Sequence, residues 1–182
     1  MVAYKNFWSL NTDEAVVTGI LRENTPKEVD VLMPINAQMK DVDLVLMNFS
    51  NKKTITIQVK GSKAYEPKKK EREKYGDGST GWFFLKKDII QRSEADYFIF
   101  LVYVISEERN GRRLIEPHTI TIPTEKLKEL CSKHKKPHPD RYSFYFWVNP
   151  KKKIAFDFRD EEFDVTEYLD KNGFGKLGEL IK

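Results

Sequence analysis

The sequence has very little cysteine, since Cys131 is the only one among 182 residues. One cysteine cannot form an intramolecular disulfide or supply a zinc site built from several thiolates. Long hydrophobic runs are also lacking, and none approaches the roughly 20 apolar residues that a membrane-spanning helix needs. Residues 1–10 contain no apolar stretch of the kind found in secretory signals. We therefore expect a cytoplasmic protein without disulfides, and no membrane partner.

Charge of one sign is scarce as well, because 32 lysines and arginines nearly balance 28 aspartates and glutamates, for a net charge of +4. A net charge this small does not indicate nucleic-acid binding by itself. The distribution is uneven, however: residues 63–74 and 133–141 are basic, and residues 157–170 are acidic. Such runs are usually solvated surface, but a basic loop beside a phosphate site would suit a polyanion.

Aromatic residues, in contrast, are plentiful at 13% of the chain, within a hydrophobic fraction of 40%. A chain of 182 residues with this composition can bury one substantial core. We predict a single domain over residues 1–182, with a core at about 10–105 and an extension at about 106–182.

Periodicity and turn signals predict alternating helices and strands in the core. The predicted elements are a helix at 12–24, a strand at 29–35, a turn at 36–40, a hairpin around 48–52, a polar loop at 63–80 with or without a short charged helix, a helix at 85–92 and a strand at 97–105. The last strand is apolar on both faces, as in a buried central strand. The order α-β-β-β-α-β predicts an α/β fold with a mixed sheet.

The extension is predicted to be a mixture of helices and strands. Its elements are a strand at 119–122, a helix at 123–134, a hairpin of 142–148 with 153–158, a short helix at 166–172 and a tail at 175–182. His118, His134 and His138 follow no metal or triad pattern, so we expect them on the surface. Cys131, on an apolar helix face, is expected to be buried and inert.

The hairpin of the core carries polar groups at the end away from its turn. Asp43 precedes the first strand, and the second ends with Gln58-Val59-Lys60. A two-residue loop at Ser50-Asn51 would place Asp43 opposite Gln58, and a loop one residue later would place it opposite Lys60. Because side chains alternate along a strand, either register puts the three on one face. A three-residue loop would scatter them.

This cluster has the chemistry of a site for a divalent metal next to a phosphate. Mg²⁺ prefers oxygen ligands and usually takes one or two carboxylates from the protein. Asp43 can supply a carboxylate, Gln58 an amide oxygen and Val59 a backbone carbonyl. Lys60 can orient water or neutralise negative charge, and Glu14 on the first helix can add a second carboxylate. Asp41 lies on the same face as Asp43 and is a rival for its role.

The order of these residues resembles the PD-(D/E)XK nuclease superfamily, which has the restriction-endonuclease-like fold. An acid on the first helix, an Asp at the start of a strand and a Gln-x-Lys strand follow one another within the predicted core. The form Gln-Val-Lys-Gly-Ser is similar to that of a branch of small uncharacterised bacterial proteins in this superfamily. The resemblance implies an αβββαβ core, a nuclease that hydrolyses phosphodiester bonds in DNA with Mg²⁺ or Mn²⁺, and a catalytic set of Glu14, Asp43, Gln58 and Lys60.

Two positions depart from the superfamily pattern. Val42 rather than proline precedes Asp43, and Gln58 stands where a second acid is usual. An amide oxygen can ligate a hard cation but adds no charge, so we expect weaker metal affinity. The alternative function is therefore a catalytically weak or inactive nucleic-acid-binding module of the same fold. A protein-interaction role of the aromatic extension is a third hypothesis.

The basic loop after the hairpin is expected to contact the phosphate backbone of the substrate. Its candidate residues are Lys63, Lys68, Lys69, Lys70, Arg72 and Lys74. DNA is the expected partner, and the sequence leaves RNA and a homodimer open.

Overall fold

Two β-sheets and five α-helices make up the protein in a computed structural model that describes residues 12–34, 41–107, 111–135 and 138–182. The elements are α1 (Thr12–Asn24), β1 (Val29–Leu32), β2 (Leu44–Asn48), β3 (Thr54–Gly61), α2 (Lys69–Tyr75), β4 (Ser79–Lys86), α3 (Lys87–Gln91), β5 (Tyr97–Glu107), β6 (Arg113–Pro123), α4 (Thr124–Lys133), β7 (Arg141–Asn149), β8 (Ile154–Asp157), β9 (Phe163–Asp164), a 3₁₀ turn (Thr166–Tyr168) and α5 (Asp170–Ile181). The prediction of an α/β protein with a mixed sheet is confirmed.

The first sheet has the strand order β1-β2-β3-β5-β6. Strand β3 runs parallel to β5, whereas the other neighbours in this sheet are antiparallel. The second sheet, with the order β4-β7-β8-β9, is antiparallel throughout. Its strand β4 comes from the predicted core and pairs with β7 from the predicted extension, so the two segments share a sheet.

Strand β5 is buried on both faces, as its sequence predicted. Tyr97, Ile99 and Leu101 pack with α1 and α5 on one side of the first sheet. Phe98 and Phe100 pack on the other side against the inner face of the second sheet. The first sheet is therefore the middle layer of the molecule, with helices on one face and a second sheet on part of the other.

The prediction for residues 79–92 was wrong in part. Ser79–Lys86 is a strand, and the helix is limited to Lys87–Gln91. Phe83 and Leu85 are buried, whereas Phe84 between them is exposed, so the segment has the period of two that a strand requires. The predicted helix began inside this strand because Leu85 also falls at a helical spacing from Ile89.

The predicted C-terminal tail is also wrong, because α5 continues through it to Ile181. Phe174, Leu177 and Ile181 are buried at helical spacing against the first sheet. Gly173 permits this contact: a Cβ atom there would lie only 2.4 Å from the carbonyl oxygen of Tyr168. Three glycines in the segment lower its intrinsic helix propensity, but burial of the apolar stripe outweighs that cost.

The remaining predictions fare better. Helix α1 matches residues 12–24, and the predicted helix and hairpin of the extension correspond to α4 and to β7 with β8. The strand predicted at 119–122 is the end of the longer β6, and β1 ends at Leu32. The turn predicted at 36–40 lies outside the described residues. Among the described helices, none is long and apolar enough to cross a membrane.

Candidate metal site at the end of β3

The hairpin of β2 and β3 has the first of the two predicted registers. Leu44 pairs with Ile57, and continuing this register places Asp43 opposite Gln58. The predicted two-residue turn is wrong, since the amide of Asn48 donates to the carbonyl of Lys53 across a loop of residues 49–52. A four-residue loop has the same parity as a two-residue loop, so Gln58 and Lys60 lie on the predicted face of β3, and Asp43 lies one residue before β2 begins.

Asp43 is fixed to the end of β3 by backbone and side-chain bonds. Its amide donates to the carbonyl of Ile57 at 2.9 Å, and its Oδ2 accepts from the Val59 amide at 2.8 Å. The Lys60 ammonium lies 3.8 Å from the same oxygen, and both side chains are largely buried. Among the described residues, no hydrogen bond reaches Oδ1 of Asp43. One carboxylate oxygen is thus held by the protein and the other is left for a ligand.

The Val59 carbonyl faces the same space as the Asp43 carboxylate. The N–H and C=O of one residue point to the same side of a strand, as in the exchanged bonds of an antiparallel pair. Because the Val59 N–H donates to Asp43, its C=O also points toward the side where β2 has already ended. The strand end is open at this point, so a backbone carbonyl there can serve as a ligand.

Gln58 is buried, with 3% of its surface exposed. Its Oε1 has no hydrogen-bond partner among the described residues. A buried acceptor left unpaired costs roughly 1–3 kcal/mol, and several other buried side-chain atoms of the described residues, among them Thr121 Oγ1 and Trp147 Nε1, are unpaired as well. An amide oxygen in this state fits the hard-oxygen preference of Mg²⁺ or Mn²⁺.

Lys60 is in an environment that disfavours its charge. Burial lowers its pKa from the usual 10.5, and the carboxylates of Asp43, Glu14 and Asp41 oppose this shift in that order. Burial is the larger effect, so at a given pH a larger fraction of this lysine is neutral, and able to accept a proton, than of an exposed one. The three carboxylates named here also show that Glu14 and the rival Asp41 both lie within electrostatic reach of Lys60.

The first turn of α1 meets the end of β3. Glu14 is 4% exposed there, which supports its predicted place in the site. The sequence analysis did not select its neighbour Asp13, yet a Cβ atom on Gly61 would lie 1.8 Å from Asp13 Oδ2. Tyr103 on β5 donates to Asp13 Oδ1 at 3.0 Å, and burial with this bond raises the pKa of Tyr103 to about 12. The glycine directly after Lys60 was the available signal for Asp13, because it permits the carboxylate to approach the strand.

The acids around Lys60 do not form a dense cluster of metal ligands. Over the described ranges, no group of three or more histidine, cysteine, aspartate or glutamate side chains is placed to hold a metal ion. An amide side chain such as that of Gln58 and a backbone carbonyl such as that of Val59 are not among these residue types. The carboxylates of Glu14 and Asp43 lie on different parts of the fold, and both act electrostatically on Lys60.

The predicted phosphate-binding residues are exposed on the segment that leaves β3. Helix α2 carries most of them, and all six are exposed: Lys63, Lys68, Lys69, Lys70, Arg72 and Lys74. Lys74 differs from the rest, because its ammonium lies 2.6 Å from Glu162 and this bond raises its pKa to about 12. Lys74 is therefore partly neutralised by the acidic segment, which makes it the weakest candidate for a phosphate contact.

The expectation for the histidines was wrong for His134, which is buried with its Nε2 3.4 Å from Asp157 Oδ2. His118 is partly buried, with Nδ1 2.8 Å from Asp170 Oδ2. Cys131 is buried as expected, and burial raises the pKa of its thiol to about 12. Cys131 belongs to the core between the two sheets, and His118 lies beside the N-terminus of α5. Both are away from the end of β3.

The end of β3 thus combines carboxylate, amide and carbonyl oxygens with a lysine of lowered pKa, next to a basic segment. Comparison of the chain with protein families, curated proteins and solved structures finds no match. Any functional conclusion must therefore come from this geometry and from the order of the residues that form it.

Proposed function

We propose that this protein is a metal-dependent nuclease of the PD-(D/E)XK type that hydrolyses phosphodiester bonds in DNA. One observation carries the proposal: the buried Oε1 of Gln58, unpaired among the described residues, lies on the strand whose end holds the Asp43 carboxylate and a lysine whose pKa is lowered. A hairpin does not need these three groups for its stability. Hydrolysis of a phosphodiester does need oxygen ligands, a proton acceptor and neutralisation of charge.

The residues that would hold Mg²⁺ or Mn²⁺ are Glu14, Asp43, Gln58 and the Val59 carbonyl. When bound, the metal supplies polarisation of the phosphoryl oxygen and lowers the pKa of water. The protein contributes the orientation of these ligands, since Asp43 is clamped to the Val59 amide and Gln58 is held in a buried strand. Lys60 accepts a proton from the attacking water or, when charged, stabilises the developing negative charge.

The topology supports a restriction-endonuclease-like core as part of the same proposal. Helix α1 precedes three antiparallel strands, and β3 then pairs in parallel with β5. The connection between β3 and β5 contains the short helices α2 and α3, together with β4 of the second sheet. Relative to the order α-β-β-β-α-β, the segment from α1 to β5 contains one additional strand, β4, and one additional short helix.

The deciding experiment is cleavage of plasmid and linear DNA in Mg²⁺ or Mn²⁺. We expect Asp43→Ala and Lys60→Ala to lose at least 100-fold in rate, the size typical for loss of a positioned catalytic group. Matched controls are Asp88→Ala and Lys53→Ala, which remove exposed charges far from the end of β3. Equal cleavage by the wild type and both site variants would refute the assignment.

A second function is favoured by the neutral Gln58 and by the lack of a dense acid cluster in the described residues. In this alternative the protein binds nucleic acid through its basic segment and cleaves it slowly or not at all. Binding would weaken steeply with salt, as for any contact made through phosphates. Gln58→Glu distinguishes the two: a gain of metal-dependent cleavage shows a weakened catalytic site, whereas no gain in a variant that still binds DNA favours the binding module.

A further inference from the structure

The outer face of the second sheet carries a row of aromatic rings. Trp82 and Phe84 on β4 alternate with inward-facing residues, and Tyr145 on β7 lies between them. The ring centroids of Trp82 and Tyr145 are 5.6 Å apart, and those of Phe84 and Tyr145 are 6.2 Å apart. We call these three residues the aromatic face.

Phe84 is the exposed end of this face, with 49% of its surface accessible. Its neighbours Phe83 and Leu85 are almost fully buried, so the exposure belongs to the outer side of the strand alone. The exposed aliphatic side chains of the described chain lie on other elements, namely Leu32 on β1, Leu114 and Ile115 on β6 and Leu180 on α5. The surface around Phe84 is therefore aromatic rather than generally apolar.

Cationic side chains border these rings. The Arg141 guanidinium lies over Phe84 at 5.4 Å, and that of Arg159 lies over Tyr145 at 5.9 Å. The exposed Lys86 pairs with Arg141 across β4 and β7. The acids nearby include the buried Asp157, whose Oδ1 accepts from the Tyr145 amide at 3.0 Å, Asp160, 3.9 Å from Arg159, and the exposed Asp140. Around Phe84 the balance of charge is positive, which complements an anionic ligand that also has a flat apolar part.

The aromatic face is joined to the candidate metal site by a short piece of chain. Ser62, two residues after Lys60, accepts a hydrogen bond from the Trp82 amide through its Oγ at 2.9 Å. Tyr65 then stacks on Trp82, with ring centroids 4.7 Å apart and planes inclined by 22°. Residues 62–65 thus connect the aromatic face with the end of β3.

We propose that the aromatic face binds unpaired bases of a single-stranded nucleic acid. Bases stack on Phe84 and Tyr145, and Arg141 and Lys86 neutralise the phosphates that join them. Aromatic side chains between cationic ones are the usual platform for unpaired bases, whereas bases inside a duplex present no free ring face. The inference rests on the proposed function in taking nucleic acid as the ligand, and it narrows the substrate to one with a single-stranded segment.

The test is fluorescence anisotropy of a labelled 15-nucleotide oligothymidylate, compared with a 15-base-pair duplex, in buffer without divalent metal. The wild type is expected to prefer the single strand, and Phe84→Ala to weaken its binding by about 5- to 100-fold, the value of one stacked base. Phe84→Trp should retain the affinity. Phe49→Ala is the matched control, because Phe49 is 50% exposed and also lies under a cation, Lys52, but is on the hairpin loop.

Equal binding by wild type and Phe84→Ala would overturn the inference, and so would stronger binding to the duplex. Affinity lost equally in Phe84→Ala and Phe49→Ala would also overturn it, since that result shows nonspecific adhesion. The proposed nuclease fails separately: Asp43→Ala should bind the oligonucleotide like the wild type while losing cleavage. Cleavage of duplex DNA by a protein that does not prefer single strands would be consistent with the proposed nuclease and would contradict a role of the aromatic face in binding its substrate.

Discussion

The unpaired amide oxygen of Gln58 leads to a quantitative prediction about the free energy of unfolding. Gln58→Met replaces a 3%-exposed amide by an apolar side chain of similar size. Since an unpaired buried acceptor costs roughly 1–3 kcal/mol, its removal should raise the free energy of unfolding by about that amount. For a domain of this size, each kcal/mol corresponds to about 2–4 °C in the melting temperature. The substitution should therefore stabilise the protein while abolishing the proposed cleavage of DNA.

Thermal unfolding with and without Mn²⁺ checks this prediction. Without metal, Gln58→Met should melt above the wild type, and Gln91→Met at an exposed glutamine should stay within about 0.5 kcal/mol. With Mn²⁺, the wild type should gain stability because the metal binds the folded state, and the variant should gain less. A variant that melts below the wild type without metal would show that the Gln58 oxygen is already satisfied, and the argument for a ligand there would fall.

Four further predictions concern the same region and the core between the two sheets. Cleavage by the wild type should rise with pH up to the lowered pKa of Lys60 and then level off if the neutral amine accepts the proton, whereas a decline above that pKa would assign it the charged role. The pKa of Lys60 is lower in the folded state than in the unfolded state, so the charged lysine destabilises the folded state, and it does so to the full extent below the folded-state pKa. The free energy of unfolding of the wild type should therefore rise relative to that of Lys60→Met as the pH increases toward 10.5. Gly61→Ala should lower the free energy of unfolding, measured by chemical denaturation, by about 1–3 kcal/mol because the added methyl group displaces the Asp13 carboxylate. Adding Asp13→Ala to the same chain should recover part of this stability, whereas additive losses from the two substitutions would contradict the contact. The Cys131 thiol should resist a disulfide reagent at pH 8 until the protein unfolds, and rapid labelling of native protein would contradict its burial.

The sequence was sufficient for the parts of the fold where local pattern and tertiary environment agree. Strand β5 is apolar on both faces and lies between two cores, and the hairpin has the predicted register, with Leu44 opposite Ile57, although its loop is longer than predicted. The prediction of the register does not depend on the exact loop length, because a loop that is longer by two residues leaves every side chain on the same face of its strand. The division at about residue 105 stays a prediction, although β4 and β7 pair across it.

The failures have different physical causes. Helix α5 was missed because its glycines lower local propensity, and only the contact of Gly173 with the backbone at Tyr168 explains why a glycine is needed. Strand β4 was missed because its pairing partner, β7, lies more than fifty residues later and leaves no local signal. Asp13 was missed because acids in the first turn of a helix are common, and its contact with Tyr103 joins residues 90 positions apart.

The hydrogen bond from Asn48 Nδ2 to the carbonyl of Ile181, at 2.9 Å, spans 133 residues. The β2–β3 hairpin is therefore synthesised more than a hundred residues before the helix that covers its inner face and holds its loop. At about 5–20 residues per second on the ribosome, this delay is several seconds or more, during which Leu46 and Ile57 lack their final cover. Folding of this hairpin on the ribosome should therefore be completed only in a later step that depends on α5.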